Sequence, residues 1–220
     1  MLWNVVKPWI VVVSLMLAIW AGNRLHIGKV RLSSWQRQHW RWPYSNPFLH
    51  ASAVCFLVLI HQTAIRDLGL NWGHWTTGSA SVIFGTAVLF GGVVVATNSS
   101  TQKKLQVHFP GWSTILFQGL WVPVAEELFW RGYFQAQVGL WLTALVFGIV
   151  HASNPGTLAS RVGGALYAGV LGLSFGYLRW SSGGIIAIIL LHSFLNVLNH
   201  VTDKNSKLAP TRYSAPNAVP

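Results

Sequence analysis

The chain has 220 residues, of which 52% are apolar and only 9% charged, where a soluble domain carries about a quarter charged residues. That leaves too little charge to cover a water-facing surface and too much apolar and aromatic content for a disordered chain. The sole cysteine, Cys55, excludes an internal disulfide framework and a cysteine-built zinc site, and what remains is an integral membrane protein.

Seven apolar segments follow one another at about 4–22, 47–65, 79–97, 112–134, 137–153, 162–179 and 183–200. Most reach the ~20 residues that a bilayer requires; the fifth is short and is expected to lie buried among its neighbours. The first resembles a signal peptide only in part. Lys7 precedes it, but its core is long and Ala18-Ile19-Trp20-Ala21 offers no clean cleavage site, so it reads as a retained helix. The expected fold is therefore all-α, a polytopic bundle of about seven transmembrane helices within a single domain, 1–200. A polar tail, 201–220, is expected to be disordered.

Fifteen Lys and Arg face four acids, for a formal net charge of +11. The cations sit mostly in short stretches between apolar runs, which suits anionic lipid headgroups and topology setting; no nucleic-acid partner is expected. If loop 23–46 is cytoplasmic, alternation places eleven of the fifteen cations inside, from Arg24 to Arg212. It leaves Lys7, Arg66, Arg131 and Arg179 outside or in the membrane. This predicts an N-terminus outside and a cytoplasmic C-terminus, and the short loops suit a bacterial plasma membrane. Trp35, Trp40, Trp42, Trp72, Trp75 and Trp112 fall near the proposed helix ends, where indole rings favour the interface. Gly172 and Gly176, with Ala165 and Gly169, allow close helix approach within the chain or between copies; the sequence sets no oligomeric state.

Two of the four acids, Glu126 and Glu127, lie inside apolar sequence, where a charged side chain costs roughly 2.5–3.5 kcal/mol on insertion scales. On a helix Glu127 and Arg131 are four apart and share a face, acid first, so they can neutralise each other. Glu126 is turned about 100° away and is left to face a cavity as a general base or acid. Phe147 and His151 repeat the four-residue spacing, as do His192 and Asn196. Glu126 with His151 could polarise a water, and His192 with Asn196 could donate to the oxyanion of a tetrahedral intermediate. On these expected ends Glu126 lies ~21 Å along its helix from the cytoplasmic end, with His151 near that end. They meet only if helices tilt, if the short helix is sunk, or if the ends differ.

The series Glu126-Glu127-x-x-x-Arg131-Gly132, Phe147-x-x-x-His151 and His192-x-x-x-Asn196 resembles the CPBP intramembrane glutamic endopeptidases. These CAAX-processing and bacteriocin-processing enzymes, also called the Abi family, are related to the Ras-converting CAAX endopeptidase. Asp67-Leu68-Gly69-Leu70 is similar to a stretch common upstream in that family, and Trp130 departs from its usual phenylalanine. The resemblance implies a helical membrane protease with its cavity inside the bundle. Glu126 would be the base, His151 would share the water, His192 and Asn196 would form the oxyanion site, and Glu127, Arg131 and Phe147 would support it. The implied partners are membrane lipids and a peptide or protein with a membrane-associated segment, such as a CAAX-like tail or a leader.

Other functions draw on the same residues. Glu126, His151 and His192 would also make a His₂Glu zinc set with an open water position, but there is no HExxH motif and the family is described as working without metal, so no cofactor is expected. A transporter or proton relay would favour a duplicated helix pattern, and none is visible. A non-catalytic scaffold or immunity protein would fit the loss of a motif residue, and all are present.

Overall fold

The computed structural model describes residues 65–100, 115–152 and 158–202, with Ile10, Val107, Phe109, Gly111 and Trp112 besides. Among the described residues the chain is helical and contains no strand. A 3₁₀ turn, Ile65–Leu68, leads to α1, Thr77–Ser100. The Thr76 hydroxyl caps α1 by accepting from the Ser79 N–H at 3.1 Å, which satisfies one of the unpaired donors of its first turn.

The next helix, α2, runs over residues 115–138. Two of its stretches, Ile115–Trp121 and Leu128–Phe134, have a widened ladder of i→i+5 type; Val122–Glu127 and Gln135–Val138 are α-helical. Pro123 lacks an N–H to give the carbonyl four residues back, and the ladder is wide just ahead of it. The second wide stretch closes with the Gln135 N–H donating to Trp130, five residues back. Gly139 then turns the chain at a φ of 84°, left-handed territory that disfavours a side chain, and α3 follows over Leu140–His151. Helix α4, Leu158–Ser182, and helix α5, Ile186–Thr202, complete the described chain.

Helices α1 and α4 are long and apolar enough to cross a membrane. Their outward side chains stay exposed: Phe84 is 72% exposed and Leu166 66%, and Trp141 on α3 reaches 75%. Contiguous apolar surface of this kind is unstable in water and is stable against lipid. On the outer face of the α3–α4 pair runs an apolar groove of about 450 Å³, floored by Ala144, Gly148, Ala165 and Gly169. Helix α3, at about 18 Å, is too short to cross a bilayer core of about 30 Å; it buries Phe147 among α2 and α4 but leaves Trp141, Leu145 and Ile149 exposed, so the burial expected of the fifth segment holds for one face only.

The third to seventh apolar segments correspond to α1–α5. The C-terminal end of α2 lies four residues further on, and α4 extends through polar residues at both ends, such as Ser160, Arg161 and Ser182. The first two segments, all but Ile65 and Ile10 of them, lie outside the described residues, as does the 203–220 part of the tail.

Interior packing falls into two clusters. One joins Phe129, Trp130 and Phe134 of α2 to Val146 and Phe147 of α3, Ala168 of α4 and Leu68. The other joins Phe90 of α1 to Phe175 and Leu178 of α4 and to Ile188 and Leu195 of α5. The segment after Leu68 lies across the α4–α5 turn: Ile185 N–H donates to the Gly69 carbonyl at 2.9 Å, Ile186 to Asn71 at 3.3 Å, and His74 to Ser182 at 2.6 Å. Carbonyls more than a hundred residues upstream thus serve N–H groups at the start of α5. The Arg179 guanidinium adds bonds to the Asp67 and Gly183 carbonyls.

Candidate active site

Glu126 and Glu127 both lie in the α-helical stretch between the two wide ones, and both are buried. Their surroundings differ. Glu127 Oε1 accepts from Arg131 Nη1 at 3.2 Å and from His192 Nδ1 at 2.7 Å, and Oε2 also lies 3.2 Å from Nη1. Glu126, 6% exposed, makes no hydrogen bond or ion pair with any described residue. The division expected from helical geometry is present: one carboxylate is committed and its neighbour, turned away from it, is not.

Arg131 has no exposure at all. Its guanidinium carbon sits 4.5 Å from the centroid of the Phe147 ring and 5.3 Å from that of Phe175. Two aromatic faces and a carboxylate therefore stand in for water around the cation. Nη2 lies 3.5 Å from the Gly172 carbonyl, a long bond, and Nε has no partner among the described residues.

The three other sequence-predicted residues come from α3 and α5. His151, at the end of α3, has Nδ1 2.7 Å from the Phe147 carbonyl and its ring 4.4 Å from that of Phe147. A carbonyl can only accept, so Nδ1 carries a proton, and in the neutral ring Nε2 is the acceptor. His192 and Asn196 share the face of α5 that meets α2, as their spacing requires. His192 reaches Glu127, and its ring lies 5.5 Å from Phe175. Asn196 Nδ2 donates to the Gln118 carbonyl at 2.9 Å.

The structure thus joins Phe147, Arg131, Glu127 and His192 in one run of contacts, with the His151 ring against Phe147 at one end. It does not join His192 to Asn196 on a common partner, and no described hydrogen bond links Glu126 to His151. No group of three or more His, Cys, Asp or Glu side chains among the described residues could hold a metal ion.

Sequence reasoning did not single out two contributors. Phe175 of α4 touches both Arg131 and His192. Gln135, one turn beyond Arg131, donates Nε2–H to the Gly176 carbonyl at 2.8 Å. The signal was present: Gln135 extends the Glu127–Arg131 spacing by another four residues, and Gly172 and Gly176 carry the same interval.

This is the interior of a helical membrane protein that gathers two carboxylates, a guanidinium and two imidazoles from three helices. A family described as type II CAAX prenyl endopeptidase, Rce1-like, matches residues 108–198, which include every one of these charged and imidazole groups. Over that segment, which is less than half of the chain, the protein is similar to the CAAX-protease family. No curated protein and no solved structure matches the chain.

Proposed function

We propose that the chain is an intramembrane endopeptidase of the glutamic type, cleaving a peptide bond in a membrane-associated peptide of the CAAX-like or leader class. The observation that carries this reading is the buried Glu126, without a hydrogen bond to any described residue, beside Glu127, whose Oε1 takes both Arg131 and His192. A carboxylate kept in an apolar interior without a partner is costly, and a general base is the use that justifies it.

In the reaction Glu126 takes a proton from water, with His151 Nε2 accepting a hydrogen bond from the same water. The oxygen of that water attacks the peptide carbonyl carbon, and the carbonyl electrons move onto oxygen. Protonated His192, its charge balanced by Glu127, donates from Nε2–H to that oxyanion; the second N–H of Asn196 donates alongside. Collapse of the intermediate breaks the C–N bond, and the proton held by Glu126 passes to the departing amine. No covalent acyl-enzyme forms and no metal takes part. The eleven-to-four division of cations supports an N-terminus outside and a C-terminus in the cytoplasm, and the short loops suit a bacterial plasma membrane.

The test is hydrolysis of a quenched fluorescent peptide with a farnesylated CAAX tail, alongside unlipidated leader peptides, in detergent or liposomes. Glu126→Gln should lower the rate by at least about 10²-fold while the thermal midpoint holds, and a chelator should leave the wild type unaffected. Full activity in Glu126→Gln would remove the base from the mechanism, and loss of activity with the chelator would transfer the reading to zinc.

A further inference from the structure

We infer that Gln135 is a positioning residue for this reaction: its buried amide, bonded to the Gly176 backbone, sets the register of α4 against α2 and thereby holds Arg131, Glu127 and His192 in their working arrangement. The inference rests on the reading proposed above.

Two donors on α2, Arg131 and Gln135, are four residues apart, and they meet two carbonyls on α4, Gly172 and Gly176, at the same interval. The two bonds are unequal. Gln135 Nε2 to Gly176 is 2.8 Å, and Arg131 Nη2 to Gly172 is 3.5 Å, at the limit of a hydrogen bond. The short bond fixes the register and the long one follows from it.

Glycine is what lets the donors in. A Cβ on Gly176 would stand 2.9 Å from Gln135 Oε1 and would collide with the Leu140 side chain. A Cβ on Gly172 would stand 3.5 Å from Arg131 Nη2 and 3.2 Å from the Phe147 ring. Between these glycines α4 presents Phe175, which has no exposure and lies against both the Arg131 guanidinium and the His192 ring. A slip of α4 along α2 would withdraw that ring from both groups at once and offer Arg131 a different carbonyl.

The identity of residue 135 also argues for a donor. Gln135 Oε1 is buried without a partner among the described residues, a cost that an apolar side chain of the same length would not carry. The amide is there for its N–H.

The test is Gln135→Met, which keeps length and removes the donor, assayed with the farnesylated CAAX peptide. The expected result is a kcat about tenfold lower with KM within about twofold of wild type, since an interaction felt only in the transition state lowers kcat. In a double-mutant cycle with Arg131→Lys the two losses should be less than additive, because both act through one guanidinium. Should Gln135→Met not fold, Gly176→Ala displaces the same amide and should show the same selective fall in kcat. Wild-type kcat in the folded variant, an activity loss that only tracks the amount of folded protein, or strict additivity with Arg131→Lys would overturn the inference while leaving Glu126 as base. Failure of Glu126→Gln to lower the rate, or of the wild type to cleave, would instead overturn the reading beneath it.

Discussion

Adjacent glutamates on one helical turn cannot share a partner, and the neighbouring helices settle which is which. Glu127 faces α5 and takes both Arg131 and His192; Glu126 takes neither. Glu127 is therefore more than a counter-ion, since its contact with His192 Nδ1 fixes the orientation of that ring and turns Nε2 away from the pair. Glu127→Gln should lower thermal stability and activity together, because it leaves Arg131 buried and uncompensated at a cost of about 3–5 kcal/mol. Unfolding in a detergent titration and the peptide assay would each show it, and a variant as stable as wild type would contradict the pairing. The intrahelical part of this was legible from spacing alone, since four residues place two side chains on one face. The His192–Glu127 bond was not, because spacing reports a residue's own helix and says nothing of the helix opposite.

At the scale of elements, small residues decide how close α3 and α4 lie. A Cβ on Gly148 would come within 2.8 Å of the Ala165 carbonyl oxygen and 3.1 Å of the Gly169 Cα, so backbone meets backbone along this seam. Gly148→Leu should force the helices apart and cost at least the 1–3 kcal/mol typical of overpacking. It should also weaken catalysis, since α3 carries Phe147 and His151; an unchanged thermal midpoint would argue against so tight a seam. The small-residue pattern of α4 was visible in the sequence, but its use was open. The structure assigns Gly169, Gly172 and Gly176 to contacts within the chain, with α3 and α2. Helix ends were the least legible feature: apolar runs mark where lipid and core lie, and a backbone ladder continues past them through residues such as Ser160 and Ser182. The wide stretches of α2 left only one sequence trace, Pro123.

At the scale of the molecule, the segment 67–76 ties the start of the described chain to its end. Leu68 is buried between α2 and α3, with its carbonyl against Gly132: a Cβ there would stand 2.8 Å from the oxygen. The sequence drew attention to Leu68 only through a resemblance, because one apolar residue beside a polar turn has no periodicity to read. Leu68→Ala should destabilise by about 2–5 kcal/mol through the cavity it leaves, measured as a lower thermal midpoint in detergent. A shift within error would place Leu68 outside the core.

The same tie sets a schedule for biogenesis. Gly69 and Asn71 leave the ribosome well before Ile185 and Ile186, the groups they bond to. At about 5–20 residues per second the interval is on the order of 6–20 s. Through that time those two carbonyls lack their N–H donors, and Glu127 waits for His192, 65 residues on, about 3–13 s. A nascent chain therefore carries Glu127 and Arg131 into the membrane before their partner on α5 exists, and on the proposed reading hydrolytic competence arrives only with α5. An enzyme of the proposed kind, made in this order, is silent towards neighbouring peptides until α5 has been made.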